Sequence, residues 1–324
     1  MSTLQKKRAF ITGIGGQDGY YLSRWLLDRS YEVVGCGRAG TLLDVRGDEL
    51  RAMGAKIVDL DLLDRRATFR AIADIEPAEI HNLAGHSFVP ASWDDPTAAI
   101  RITSWPAIHL LEAIRAHARS ARFYQSSSSE LFGSSPVSPQ DEYTPVAPAN
   151  PYAAAKVFAH QIVALYRQHH GLFAVSGILY NHESPRRPPP FVTRKVVQAA
   201  VRIKAGEQTD LVLGDLDVAR DWGFAGDFVD AMWRMLQIDE PSDFVIGTGK
   251  DAFSVGLSLS RVGRELGKLR LGWSNGRTSF DDDEEKDLDR LVVKLSSAVA
   301  RLVEPGAAVG ASTDSAGNVV PLRR

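Results

Sequence analysis

Tyr152 and Lys156 stand four residues apart, and upstream of them lies the run Ser126-Ser127-Ser128-Ser129-Glu130. Residues four apart share a helix face, so the Lys156 ammonium is expected beside the Tyr152 phenol, favouring its ionised form. A phenol titrates near ~10 and becomes a proton acceptor at neutral pH only when a neighbouring cation lowers that value. A hydroxyl and a carboxylate from the Ser/Glu run would complete a site that oxidises an alcohol and moves a second proton. Taken alone, Tyr-x-x-x-Lys also suits a surface helix, and Glu130 also suits an exposed strand end. Their weight comes from the elements around them.

The amino-terminal stretch supplies a partner for such a site. Lys7 to Ile11 read as a short buried strand, and Thr12-Gly13-Ile14-Gly15-Gly16-Gln17-Asp18-Gly19 leads into the apolar helical pattern of Tyr21, Leu22, Trp25 and Leu26. Gly13, Gly16 and Gly19 at spacing three allow a tight turn, close approach of backbone to a pyrophosphate and close helix–strand packing. The helix amino end then faces the anion, which predicts a dinucleotide site formed by Gly13, Gly16, Gln17, Asp18 and Gly19. A second strand, Tyr31 to Cys36, ends in Gly35-Cys36-Gly37-Arg38. An acid there would hydrogen-bond the ribose of NAD, whereas a cation suits the extra phosphate of NADP. Arg38 therefore favours NADP, with a solvated surface arginine as the alternative. A third strand, Lys56 to Asp61, places Asp61-Leu62 against an adenine ring. A fourth, Glu79 to Leu83, runs into Ala84-Gly85-His86-Ser87, so that Leu83 and Ala84 lie against the cofactor.

Helical patterns at Arg65–Ile75, Thr97–His117 and Pro151–His170 alternate with strands at Arg122–Ser126 and Phe173–Leu179. This alternation predicts an α/β fold: a doubly wound parallel sheet of the Rossmann type with a smaller α/β substrate-binding lobe. Chemistry in such a sheet belongs at the carboxyl ends of the strands, where Gly13, Ala84 and Ser127 to Glu130 fall. We divide the chain into an NADP-binding domain over residues 1–180 and a nucleotide-sugar lobe over 181–303. Part of 211–250 returns to the first domain, and 304–324 reads as a flexible tail. The 324 residues are 44% hydrophobic, enough for a substantial core, and no stretch is long enough to span a bilayer. With no secretory signal, a cytoplasmic location is expected. The single cysteine, Cys36, forms no internal disulfide, the histidines lack metal-ligand spacing, and a formal charge of -2 gives no basic footprint for nucleic acid.

Beyond these patterns, several segments resemble the GDP-mannose 4,6-dehydratase family of extended short-chain dehydrogenases/reductases. They are Ile11-Thr12-Gly13 through Gly19, Phe123-Tyr124-Gln125, Ser129-Glu130-Leu131, Asn150-Pro151-Tyr152-Ala153, Asn181-His182-Glu183-Ser184-Pro185-Arg186-Arg187, Phe191-Val192-Thr193-Arg194-Lys195 and Arg220-Asp221-Trp222-Gly223. The resemblance covers residues 6 to 250. It implies that Tyr152 takes the proton of the sugar 4-hydroxyl as hydride leaves C4, that Ser128 hydrogen-bonds that oxygen, and that Lys156 supports Tyr152. It also implies that Glu130 removes the C5 proton and protonates the departing 6-hydroxyl, after which hydride returns to C6. It assigns a GDP-linked sugar to Ser87, Asn181, Glu183, Arg186, Val192, Lys195 and Arg220. Arg187 is left as structural or at a subunit contact. A homodimer or tetramer is implied, with neither nucleic acid nor membrane as partner. A related epimerase or decarboxylase, and a non-catalytic dinucleotide sensor, are the competing readings.

This chain departs from the family pattern in several places. Ser128 stands where members carry threonine, and the hydroxyl is retained. Pro106 lies inside a helix and should kink it. Pro188-Pro189-Pro190 should stiffen the segment before Phe191, and Asp227 reads as a capping acid. After residue 250, Leu271-Gly272-Trp273 arrives early, followed by the acidic run Arg277 to Asp289 and the helically spaced Leu288 to Leu302.

Overall fold

The strands of the first half are short and apolar, and nearly every residue in them is buried: Arg8–Thr12 (β1), Glu32–Gly37 (β2), Glu79–Asn82 (β4), Arg122–Ser126 (β5) and Ala174–Leu179 (β6). Burial on both faces is the mark of a parallel sheet covered by helices on each side. The computed structural model describes residues 6–38, 40, 42, 44–213 and 219–248. Beyond these it describes only the short strands Phe253–Ser254, Ser260–Arg261, Arg264–Glu265 and Val319–Pro321. The acidic run 277–289, the helical spacing of 288–302 and the remainder of the 304–324 tail lie outside the described residues.

The first unit comprises residues up to His182 together with Gly223–Gly247. Between its strands run the helices Gln17–Asp28 (α1), Val45–Ala52 (α2), Arg65–Ile75 (α3), the single turn Ala91–Asp94 (α4), Pro96–His117 (α5) and Pro151–His170 (α6). Lys56–Asp59 forms β3; Ala225–Met235 is α8 and Asp243–Ile246 is β11, numbered in chain order after the elements of the second unit. The seven strands are ordered β11-β6-β5-β4-β1-β2-β3, with parallel register throughout, for example Thr12↔Cys36, Thr12↔Asn82 and Asn82↔Gln125. The winding reverses between β1 and β4, and that switch point opens a crevice at the carboxyl ends of the strands.

Alternate residues of each strand enter opposite cores. Ala9, Ile11, Tyr124 and Val175 pack with Leu22 and Leu26 of α1 and Phe228 and Met232 of α8. Phe10, Ile80, Phe123 and Ala174 pack with Leu110, Leu111 and Ile114 of α5 and Val163 of α6. Each fully buried Leu or Phe contributes about 1.5–3 kcal/mol. Helix starts follow the local chemistry: Asp64, Asp95 and Asn150 each accept a hydrogen bond from a first-turn amide of α3, α5 and α6. Gly171 ends α6 in the left-handed conformation, at φ 62°.

The ends of two strands and the start of one helix differ in detail from the sequence reading. β3 stops at Asp59 and β4 at Asn82, because Asp61 starts a turn and the Leu83 amide leaves the ladder to bond the Thr12 hydroxyl. Pro106 is buried inside α5, which continues as one helix through all 22 residues. α8 is entered from Phe224 without a side-chain cap, so Asp227 is a first-turn acid complementing the helix dipole rather than the cap.

The second unit, Glu183–Trp222 and Thr248–Arg324, is described over a smaller part. Asn181–Glu183 is β7, which straddles the boundary, as does β10 (Trp222–Phe224). Val192–Ala205 forms α7, followed by the short strands Asp210–Val212 (β8) and Ala219–Arg220 (β9). Its core among the described residues is Val196, Ala199 and Leu211, with Val197, Ile203 and Leu213 packed against them. Asp221 accepts from the Thr248 amide and hydroxyl, the latter at 2.8 Å.

Candidate active site

Gly13 follows β1 at φ 68°, and a Cβ placed on it would lie 3.0 Å from the Ala84 amide nitrogen. The same addition at Gly16 would come within 3.2 Å of the Gly13 carbonyl oxygen, and at Gly19 within 2.5 Å of that of Ile14. α1 therefore begins hard against its strand, and its cap residue, Gly16, offers no side chain to the first-turn amides. A backbone cradle at the switch point, with helix amides that no side chain caps, fits a pyrophosphate. Gln17 and Asp18 do not simply line it. The Gln17 amide donates to the His182 carbonyl at 3.1 Å, and the Asp18 carboxylate lies 3.0 Å from His182 Nε2.

Along the rest of the crevice the predicted residues separate by environment. Leu83 and Ala84 are fixed by their backbone amides, both 3.1 Å from the Thr12 hydroxyl. Arg38 and Ser87 are exposed. Asp61 is exposed and accepts from the Leu63 amide at 2.9 Å. Leu62 is buried among Val34, Cys36 and Ile72, and its carbonyl is bound by His109 Nδ1 at 2.8 Å. Cys36 packs inside β2, where burial pushes its thiol up to about 12.

Tyr152 and Lys156 lie on the first two turns of α6, both buried, with Lys156 Nζ 5.7 Å from the centre of the Tyr152 ring. The ammonium donates to the Ser126 carbonyl at 2.6 Å. Burial lowers the Lys156 amine to about 8, partly opposed by the negative charge of Asp18. β5 ends at Ser126 and the chain turns into a 3-10 helix over Ser129–Phe132. Ser128 caps that turn by accepting from the Glu130 amide at 3.2 Å, a contact that leaves the hydroxyl hydrogen to be donated elsewhere. Glu130 is half-buried, and its Oε2 accepts from Asn150 Nδ2 at 3.0 Å.

Several participants escaped the sequence reading. Thr12, Asn82 and Gln125 stand in one row across three strands, joined by bonds of 2.7 Å and 2.8 Å, and Gln125 reaches the same Ser126 carbonyl that Lys156 binds. This buried chain ties the glycine turn to the lysine. Only strand register brings the three together. Asn150 entered the sequence reading only within the run Asn150-Pro151-Tyr152-Ala153; its cap on α6 and its bond to Glu130 come from the fold.

The predicted sugar-nucleotide residues divide between the units. Ser87 and Asn181 belong to the first; Glu183, Arg186, Val192, Lys195 and Arg220 belong to the second. Val192, Lys195 and Arg220 are exposed. The Glu183 carboxylate is buried, ion-paired with Arg187 at 3.1 Å and bonded by the Thr193 hydroxyl. Arg187 lies over the Phe191 ring at 3.7 Å, so this pair braces the start of α7. Among the described residues no cluster of His, Cys, Asp or Glu is arranged to hold a metal ion, and no helix is long and apolar enough to cross a membrane.

A doubly wound sheet with a glycine cradle at its switch point and a buried Tyr-x-x-x-Lys helix beside it defines a Rossmann-fold protein of the epimerase/dehydratase type. A family model described as GDP-mannose 4,6 dehydratase matches residues 10–313. GDP-mannose 4,6 dehydratase 2 of Arabidopsis thaliana is 46% identical over 255 residues, covering 75% of this chain and 68% of that protein. The human GDP-mannose 4,6 dehydratase is 42% identical over 252 residues, covering 75% and 68%. Among solved structures, the UDP-glucose 4-epimerase of Thermus thermophilus in complex with NAD is similar with a TM-score of 0.65 at 27% identity, covering 75% of this chain and 78% of that one. This chain belongs to the GDP-mannose 4,6-dehydratase family, whose members are hydro-lyases.

Proposed function

We propose that this protein converts GDP-mannose to its 4-keto-6-deoxy derivative, with NADP as the bound redox cofactor. The observation that carries the reading is the 3.0 Å bond holding Glu130 to the cap of the helix that bears Tyr152 and Lys156. Oxidation and re-reduction at C4 need only the tyrosine and lysine, whereas loss of water across C5 and C6 needs a carboxyl group at the same place.

The glycine cradle and the Leu83–Ala84 backbone would hold the cofactor, and exposed Arg38 at the end of β2 favours the form carrying a ribose phosphate. When bound, the nicotinamide supplies the reversible hydride store, loaded from C4 and emptied to C6. Tyr152 accepts the proton of the 4-hydroxyl, with Lys156 stabilising its anion, and Ser128 donates a hydrogen bond to the same oxygen. The resulting 4-ketone acidifies the C5 proton. Glu130 removes that proton and delivers one to the 6-hydroxyl, so that water leaves, and a proton returns to C5 as C6 becomes a methyl group. Lys195, Arg186 and Arg220 would meet the diphosphate through charge-assisted bonds, beside the opening turn of α7, which has no side-chain cap. Exposed Ile100 and Trp105 on α5 and Phe158 and Leu165 on α6 support a homodimer or tetramer. A lone cysteine supports a cytoplasmic setting.

Purified protein with NADP and GDP-mannose, followed by proton NMR, should develop a C6 methyl signal. A product inverted at C4 with its 6-hydroxyl retained would assign an epimerase. Tight NADP binding without turnover of any nucleotide sugar would assign a sensor. Equal affinity for NAD and NADP, unchanged by Arg38→Ala, would overturn the cofactor preference.

A further inference from the structure

Asn150 serves two masters through the two ends of one amide. Its Oδ1 accepts from the Ala153 amide at 2.8 Å, capping α6, while its Nδ2 donates to Glu130 Oε2 at 3.0 Å. The orientation follows from chemistry: a backbone N–H must meet the oxygen, so the nitrogen is left for the carboxylate. Its backbone is extended, at φ -153° and ψ 163°, and Pro151 occupies the first helical position, so the side chain is set by the helix start itself.

Tyr152 is two residues further along this helix and Lys156 six. The cap thus joins the carboxylate to the rigid element carrying the alcohol-oxidising pair, although Glu130 arrives on a separate 3-10 turn, 20 residues away in sequence.

We infer that Asn150 is a positioning residue for elimination: it engages Glu130 Oε2 and so turns Oε1 toward C5 and the 6-oxygen, in register with the oxidation pair. The inference rests on the reading of Glu130 as the elimination acid/base. The bond broken at C5 and the proton given to O6 involve one carboxyl oxygen, and a freely rotating carboxylate would meet that geometry only part of the time.

Two substitutions separate positioning from capping. Asn150→Asp and Asn150→Ser both retain a good cap for the Ala153 amide, but neither presents an N–H to Glu130. The full chain with NADP and GDP-mannose is followed in deuterated water by reduced-nicotinamide absorbance and by appearance of the C6 methyl. In both variants C4 oxidation should stay within about twofold of the native rate while elimination falls about tenfold or more, so that reduced cofactor accumulates and C5 exchange slows. Unchanged melting temperature and cofactor affinity accompany that result. Equal loss of oxidation and elimination would reduce Asn150 to a helix cap, and native elimination in both variants would overturn the role outright. Glu130→Gln provides the separate control. If it eliminates at the native rate, the carboxylate assignment itself fails, and the positioning role falls with it.

Discussion

The two units of this chain carry their expected functional residues in opposite ways. In the first, Lys156, Ser128 and Asn82 are buried between two large apolar layers, and Asn82 and Lys156 share one hydrogen-bonded chain through Gln125 and the Ser126 carbonyl. In the second, Val192 and Lys195 on α7 and Arg220 on β9 stand exposed, and the core among the described residues centres on Val196, Ala199 and Leu211. Reacting groups must hold sub-ångström geometry and gain from a stiff, desolvated scaffold, whereas groups that meet a charged diphosphate must be reachable from water. The contrast predicts that substitutions in the first unit change rate and stability, and those in the second change affinity.

The largest effect should follow removal of the Tyr152 hydroxyl. Tyr152→Phe is expected to lower kcat about 10³–10⁴-fold with NADP binding preserved, as followed by single-turnover hydride transfer. A loss shared equally with cofactor affinity would place Tyr152 in the scaffold instead. Stability sharpens the same point. Gly13→Ala combines φ 68° with a 3.0 Å approach to Ala84, whereas Gly171→Ala meets φ 62° with nothing within 4 Å. Denaturant unfolding should show a loss of about 2–3 kcal/mol for the first and about 1 kcal/mol for the second. Matching losses would mean that the turn yields to a side chain.

In the second unit, Lys195→Ala and Arg220→Ala should each raise KM for GDP-mannose about tenfold at nearly native kcat and melting temperature. Unfolding of either variant would break the comparison. A last effect concerns pH. Burial holds Lys156 at about 8 in the folded, cofactor-free protein against 10.5 in the unfolded chain. Between those values the unfolded chain binds more protons, so the lysine's contribution to stability rises with pH, while the charge that supports Tyr152 is lost above about 8. Activity should therefore fall through this window while loss of the buried charge favours folding, and Lys156→Met should abolish that share of the stability change in pH-dependent melts. Parallel decline of native and Lys156→Met stability would assign the trend to other groups.

Much of this was legible along the chain. The helices over 65–75, 97–117 and 151–170 were announced by their apolar spacing, and the apolar runs of β1, β2, β5 and β6 announced buried strands because burial on both faces leaves no alternation. The helix over Val45–Ala52 was missed: its arginines and acids carry little apolar periodicity, and Asp44 caps it through bonds visible only once it is folded. The end of β4 was misplaced by one residue because a hydroxyl from another strand captured the Leu83 amide.

Residue type, local capping and hydrophobic period follow from short-range chemistry, so the chain alone determined a doubly wound parallel sheet, a glycine turn before α1 and a tyrosine–lysine helix. Which distant groups touch is another matter. That Thr12, Asn82 and Gln125 form one row, that Asp18 reaches His182, and that Asn150 joins Glu130 to α6 were decided by strand register and packing, since hydrogen bonds between residues 20 to 164 positions apart exist only where the fold brings donor and acceptor within about 3 Å.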